Sequence, residues 1–445
     1  MTITFIAYIL LILLTIWGGK LKIKPRDFHE DSTGVEAMKS LRGFAALGVI
    51  LHHISQDSVM QQIGGLALFV NMGAYFVATF LFCSGFGLAV SLANKPNYLD
   101  GFVKKRIFKE ILLTFYINIL LYGIVYLVDD IIAWSKAGGA FSTRFAPVQW
   151  VTNLVGLTMM NTYAWFPIVM ALLYLMFYLI FKNIKSRPVG FALLFAFIIG
   201  MGLFFCWNGH FAWWYGEKNW WTKWGSPNTI WWREEKVLWF NGEWWVNSAP
   251  AFLVGVVFGT YKDSIIKWFK KLYFIKLIVL LVIGVVLYGI SLYGQQKFGY
   301  WTEFSGNGPD IMLKVKTYFC QIPSVTIAPV LLFVIMLKYY AMNPVTKFFG
   351  KYSYDTYMMN LLALTYMQPL QMKRGMLPNG TLLCFGGVKV QAFINSIKMI
   401  PHMNALISRQ ALYRPLLYSV AVLVVTILLG MFEHWVVGKV KKVIK

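Results

Sequence analysis

The chain has 445 residues, 58% of them hydrophobic and 13% charged, with a mean hydropathy of +0.60. A soluble globular chain carries roughly 25% charged residues, so the composition excludes an ordinary soluble domain and reads as a polytopic membrane protein. The formal net charge of +23 does not point to a nucleic-acid partner, because the basic residues lie between apolar runs, where they serve as topogenic charge.

A membrane-spanning helix needs ~20 mostly apolar residues, usually ~17–25. Eleven segments fit, near 2–18, 37–55, 66–93, 108–132, 164–182, 189–207, 246–261, 272–294, 318–339, 352–370 and 412–437. The first, TFIAYILLILLTIWG (4–18), has no basic residue before it and no small-residue cleavage site after it, so it reads as a retained anchor rather than a signal peptide. A polar linker, 19–36, follows. The chain therefore divides into an N-terminal anchor with its linker (1–36) and a membrane domain (37–445). Within the latter, VQWVTNLVGLTMMN (148–161) has the length of a re-entrant or interfacial piece. The 208–245 loop is packed with tryptophans, from Trp213 to Trp245. It reads either as an interfacial belt or as a stacking platform for sugar rings.

Short loops that carry Lys20–Arg26, Lys104–Lys109, Lys182–Arg187, Lys262–Lys271 and Lys338–Lys351 alternate with longer, mixed ones. The basic loops belong inside, which gives an N-outside, C-inside topology. The 371–411 loop conflicts, since it holds Lys373, Arg374, Lys389, Lys398 and Arg409, but long loops obey the rule poorly. The fold expected is an all-α transmembrane bundle of about ten core spans plus one N-terminal span. The 18 Trp, 24 Tyr and 36 Phe suit two aromatic belts.

The four cysteines and six histidines show no metal-ligand spacing, so no metal is expected. The polar residues inside spans carry more information, because a charge there is costly and marks either a functional site or a paired structural one. SLRGFAALGVILHHIS (40–55) holds Arg42, His52 and His53. Arg42 and His53 are eleven positions apart. At ~100° per residue they return to within ~20° of one another and stand ~16 Å apart along the axis, with His52 turned ~100° away. A guanidinium is a bidentate clamp for phosphate, and a histidine is the default general base near neutral pH. The same spacing also suits an arginine snorkelling to headgroups and a histidine bonded between helices. Spacing alone leaves both readings open. Of the remaining polar residues, Asp129–Asp130 are expected to face water at a span end, and Glu433–His434 to form a structural pair, with an ion pair or proton relay as the alternative. Asp355 is expected either to start a helix or to contact the core histidine.

Several motifs shift the balance. SLRGFAALGVILHH resembles the opening motif of the membrane acyltransferase-3 family, an arginine followed by ten residues and a histidine. FLFCSGF (80–86), VKKRIF (103–108), AWFPIVMALLYLMFYL (164–179), APAFLVGVVFG (249–259) and FFGKYSYDTYMMN (348–360) are similar, in order, to further segments of that family. The resemblance implies a ten-helix bundle that moves an acyl group, usually acetyl, from cytoplasmic acyl-CoA to a hydroxyl at the outer membrane face. It implies that His53 acts as base, that Arg42 clamps the CoA side with Lys105, Arg106, Lys109 and Ser84 nearby, and that Trp165, Tyr354 and Asn360 meet substrate. Two departures stand out. Lys109 replaces a second arginine and lacks its fork. Asn360 replaces a histidine and cannot act as a base near neutral pH.

The expectation is an integral-membrane O-acyltransferase of a bacterial cytoplasmic membrane. Its donor is acetyl-CoA or another acyl-CoA, and its acceptor a polysaccharide, glycolipid or other lipid-linked glycan. The alternative is a glycolipid or polysaccharide flippase with Arg42 and His53 lining the path.

Overall fold

A computed structural model describes residues 9, 12–24, 26–57, 67–138, 147–154, 160–208, 246–299, 311–371 and 414–444. The tryptophan-rich 208–245 loop falls almost entirely outside the described residues, as do nearly all of the 371–411 loop and most of the 2–18 span. In chain order the long elements are α1 (Val35–Ser55), α2 (Gly73–Asn94), a π-helical segment Val103–Leu112 that runs into α3 (Leu113–Ala137), and α4 (Pro147–Leu154). Then come α5 (Trp165–Asn183), α6 (Arg187–Asn208), α7 (Pro250–Thr260), α8 (Lys262–Lys270) and α9 (Tyr273–Gly294). The chain continues through α10 (Ile311–Lys338), α11 (Pro344–Met367) and α12 (Arg414–Val443). A two-residue antiparallel bridge pairs β1 (Lys20–Leu21) with β2 (Tyr339–Tyr340).

The described chain is thus all-α apart from that bridge. Of the eleven expected spans, ten have a helix at their place, and the described part of the first, 2–18, is helical at residues 12–16. Among the described residues seven helices are both long and apolar enough to cross a membrane, and α7 is apolar but short. Two long helices, α1 and α11, are not among the seven. They carry Glu36, Lys39, Arg42, His52 and His53, and Lys347, Lys351, Asp355 and Asn360. They pack against each other, with α2 against α1 and α12 against α11. The two least apolar of the long helices therefore pack inside the bundle, away from lipid. The outer helix α9 shows the opposite pattern, with Ile275, Ile278, Val282 and Val285 all exposed, as a lipid-facing helix requires.

Two seams hold this core together by close backbone approach. In a bilayer, small residues at a helix interface let backbones meet and gain van der Waals contact. A Cβ on Gly43 of α1 would overlap the Thr346 carbonyl of α11 and lie 2.6 Å from the Gly350 nitrogen. On α2 and α7, Gly85 faces the Phe252 carbonyl and Gly255 faces that of Phe82. The glycines of FLFCSGF and APAFLVGVVFG thus meet in one joint. Behind it Phe82, Phe258 and Phe333 pack edge to face, with centroids 5.3 to 5.9 Å apart.

The 19–36 linker is tied down rather than free. The Lys338 ammonium, buried at the end of α10, donates to the Asp27 carbonyl at 3.0 Å and also to that of Lys24. It sits over the rings of Phe28 and Tyr273, 5.3 Å from each, a cation–π arrangement. Asn343 caps α11 by accepting from the Thr346 amide at 2.9 Å, while its own NH2 faces the Leu14, Thr15 and Trp17 carbonyls. One residue thus fixes the start of α11 and the chain before the linker.

Candidate functional site

His53 lies in the last turn of α1 and reaches across to α11. Its Nδ1 donates to the Asn360 Oδ1 at 2.8 Å, and the Asn360 NH2 donates to the Thr426 hydroxyl of α12 at 3.0 Å. The amide, spent on Thr426, presents its oxygen to the imidazole. That fixes the proton on Nδ1 and leaves the Nε2 lone pair, which has no hydrogen-bond partner among the described residues. The ring is held flat against Tyr163, with centroids 3.9 Å apart and planes at 11°. A neutral imidazole with one nitrogen anchored and the other open is the geometry of a general base. Asn360 therefore serves the role that a carboxylate or amide serves in such pairs, instead of supplying a base itself.

His52 has another duty. Its Nδ1 meets the Phe69 carbonyl at 2.8 Å, and its ring fills the space where a Cβ on Gly73 would stand. It pins the start of α2 against α1.

Arg42 faces a cavity of about 720 Å³. The walls come from the start of α1, the end of α2, the π-helical segment, α5, the first half of α11 and the end of α12. Five cations, Arg42, Lys95, Arg106, Lys351 and Lys441, line it against two carboxylates, Glu110 and Asp355. Lys441 lies 3.7 Å from Glu110. Arg42 has no hydrogen-bond or ion-pair partner among the described residues. A half-buried, unpaired guanidinium in such a cavity is suited to phosphate or another anion.

The other expected site residues divide. Arg106, Ser84 and Tyr354 line the cavity. The Tyr354 hydroxyl is committed to the Ile111 carbonyl at 3.1 Å. Lys105 and Lys109 are not among the lining residues, and the Lys105 ammonium turns to the Asp100 carbonyl at 3.4 Å. An α-helix would put Arg106 and Lys109 on one face. The π-helical hydrogen bonding (i→i+5) widens the turn, and Glu110 lies beside Arg106 in the lining instead. Trp165 is buried in the core and packs edge-on against Phe166, which does line the cavity.

Three expectations are corrected. Asp129 and Asp130 are buried, and the Tyr366 hydroxyl bonds to Asp129. Adjacent charged residues at a span end look solvent-facing only as long as the neighbouring helix is unknown. Glu433 and His434 do not pair with each other. Neighbouring helical residues point ~100° apart, so His434 turns to Asp355 at 2.9 Å, on the cavity wall, while Glu433 is fully buried and accepts from Asn118 at 2.9 Å. Asp355 lies inside α11, so of its two readings it has neither: it contacts a histidine, but His434 rather than His53.

Two features of the candidate site carried no sequence signal strong enough to find them. One is the Asp355–His434 couple, whose members lie 79 residues apart. The other is Tyr163, hidden just before the AWF motif. Tyr357 lay within the quoted SYDTY stretch. Its ring lines the cavity and stands 6.2 Å from that of His53, which is not itself on the lining. Tyr357 thus joins the two halves of the site: a cationic cavity and, beyond its innermost rings, an oriented imidazole.

No curated protein and no solved structure matches the chain. The family model described as an acyltransferase domain matches residues 35–432, a range that contains Arg42, His53, Tyr357 and Asn360 and nearly the whole membrane bundle. The chain is an integral-membrane acyltransferase and belongs to the acyltransferase-3 family.

Proposed function

We propose that the protein is an O-acyltransferase that takes an acyl group, acetyl first among the candidates, from acyl-CoA at the cationic end of the bundle. The acceptor is a hydroxyl of an envelope polysaccharide, glycolipid or other lipid-linked glycan, and the membrane is a bacterial cytoplasmic membrane. The observation that carries this reading is the continuity of the site. An unpaired Arg42 faces a 720 Å³ cavity, and the rings at its inner end abut a histidine whose Nε2 is open. The positive lining suits the phosphates of CoA. The ~16 Å between Arg42 and His53 along α1 suits an extended pantetheine arm between the phosphates and the thioester. The geometry supports the following roles. Arg42 and Arg106 hold the donor's phosphate side, and Asn360 keeps the His53 tautomer. His53 Nε2 then takes the proton of the acceptor hydroxyl as that oxygen attacks the thioester carbon.

The test is transfer of label from acetyl-CoA to candidate glycans by purified protein in lipid. Wild-type protein is expected to release CoA and label an acceptor, and His53→Ala to do neither while still binding CoA. Transfer that persists in His53→Ala overturns the assignment of the base. Wild-type protein that neither binds nor consumes acyl-CoA overturns the donor, and glycolipid movement in that case favours a flippase.

A further inference from the structure

Buried polar groups are nearly always hydrogen-bonded, so an exception calls for a reason. Among the described residues, six buried side-chain atoms lack a partner: Ser40 Oγ, Thr317 Oγ1, Tyr318 Oη, Thr326 Oγ1, Glu433 Oε2 and Tyr357 Oη. Of these residues Tyr357 is the one that lines the cavity. It is 5% exposed. Of the tyrosines close by, Tyr354 bonds through its hydroxyl to the Ile111 carbonyl and Tyr122 to that of Met358. Tyr357 also lies one helical turn from Asn360, so the two project from the same side of α11. Its ring is fixed by Phe166 at 5.3 Å, Tyr163 at 6.1 Å and His53 at 6.2 Å. A rigid phenol with an uncommitted O–H therefore stands where the cavity ends and the imidazole begins.

We infer that the Tyr357 hydroxyl is a catalytic hydrogen-bond donor to the thioester carbonyl oxygen of the acyl donor, an inference that rests on the acyltransferase reading above. In the step it serves, the acceptor O–H proton passes to His53 Nε2 and the acceptor oxygen bonds to the carbonyl carbon. The carbonyl electron pair moves onto oxygen, which receives the Tyr357 O–H without taking its proton. When C=O re-forms the C–S bond breaks, CoA leaves as the thiolate, and that thiolate takes the proton from His53. The donor is preorganised, since no competing bond has to break before it meets the developing charge. Such donors act on the transition state far more than on the bound substrate.

Tyr357→Phe keeps the ring and removes only the hydroxyl. The expected result is a kcat lower by about 100-fold or more, the usual loss for one oxyanion donor, with the KM for acetyl-CoA changed by less than about threefold. A merely structural phenol predicts no loss, because deleting an unpartnered hydroxyl does not weaken the fold. A wild-type kcat in Tyr357→Phe overturns the inference alone. Failure of wild-type protein to consume acetyl-CoA overturns the acyltransferase reading and this inference together.

Discussion

Asn360 shows what one residue's chemistry does when its partner lies 307 residues away. Read alone, an asparagine in place of a histidine looks like a lost base. In the fold it is the group that fixes which His53 nitrogen carries the proton. Asn360→Leu leaves Nδ1 unpaired and the imidazole free to adopt the wrong tautomer. The expected outcome is a kcat lower by about 10- to 100-fold, the range for lost orienting partners, with little change in donor KM. Asn360→Asp keeps an acceptor for Nδ1 and should retain most of the activity. Steady-state kinetics of the two variants check this, and equal, wild-type rates in both would remove Asn360 from the site. The alignment of Arg42 and His53 was legible because it depends only on helical phase within one element. The His53–Asn360, Tyr163–His53 and Asp355–His434 contacts were not, because each depends on how two helices meet.

The helices themselves were read well from hydropathy, and the reason is physical. A segment in lipid must satisfy its own backbone hydrogen bonds, so a long apolar run has almost no alternative to a helix. Hydropathy was least informative where function is densest. α1 and α11 are polar because they face each other rather than lipid, and the π-helical turn Val103–Leu112 changed which basic residues share a face. What their sequences do announce is close packing. Gly43→Ala places a methyl against the Thr346 carbonyl and the Gly350 nitrogen on the facing backbone, a contact that rigid backbone cannot relieve. Overpacking of this kind costs about 1–3 kcal/mol. Gly200→Ala, in α6, meets nothing within 4 Å and should be neutral or stabilising by up to ~1 kcal/mol. Thermal unfolding in detergent is expected to show a lower Tm for Gly43→Ala and an equal or higher Tm for Gly200→Ala. Equal destabilisation in the two would mean that the α1–α11 seam is not closely packed.

At the scale of the molecule, the charge distribution and the cavity address the same question. The cavity gathers Thr33, Lys95, Arg106, Lys351 and Lys441 from four separate stretches of chain, Lys95 and Arg106 sharing one, all of which the alternation of spans and basic loops assigns to one side. The structure brings them to one end of the bundle; the positive-inside rule says which face that end occupies. The proposed donor asks for the same answer, since acyl-CoA is a cytoplasmic metabolite and its phosphates do not cross a bilayer unaided. The prediction is made on two exposed positions at opposite ends, Lys185 between α5 and α6 and Gln56 after α1. In a background with the four native cysteines replaced by serine, Gln56→Cys should react with an impermeant maleimide in intact cells, whereas Lys185→Cys should react only after permeabilisation. The reverse pattern would put the cationic cavity outside, beyond the reach of cytoplasmic acyl-CoA, and would force the donor to be an acyl carrier available at the outer face. A bundle oriented as the basic loops require instead places Arg42 toward the proposed donor and His53 toward the proposed acceptor. One helix face would then span the distance between a cytoplasmic thioester and a hydroxyl on the other side of the membrane.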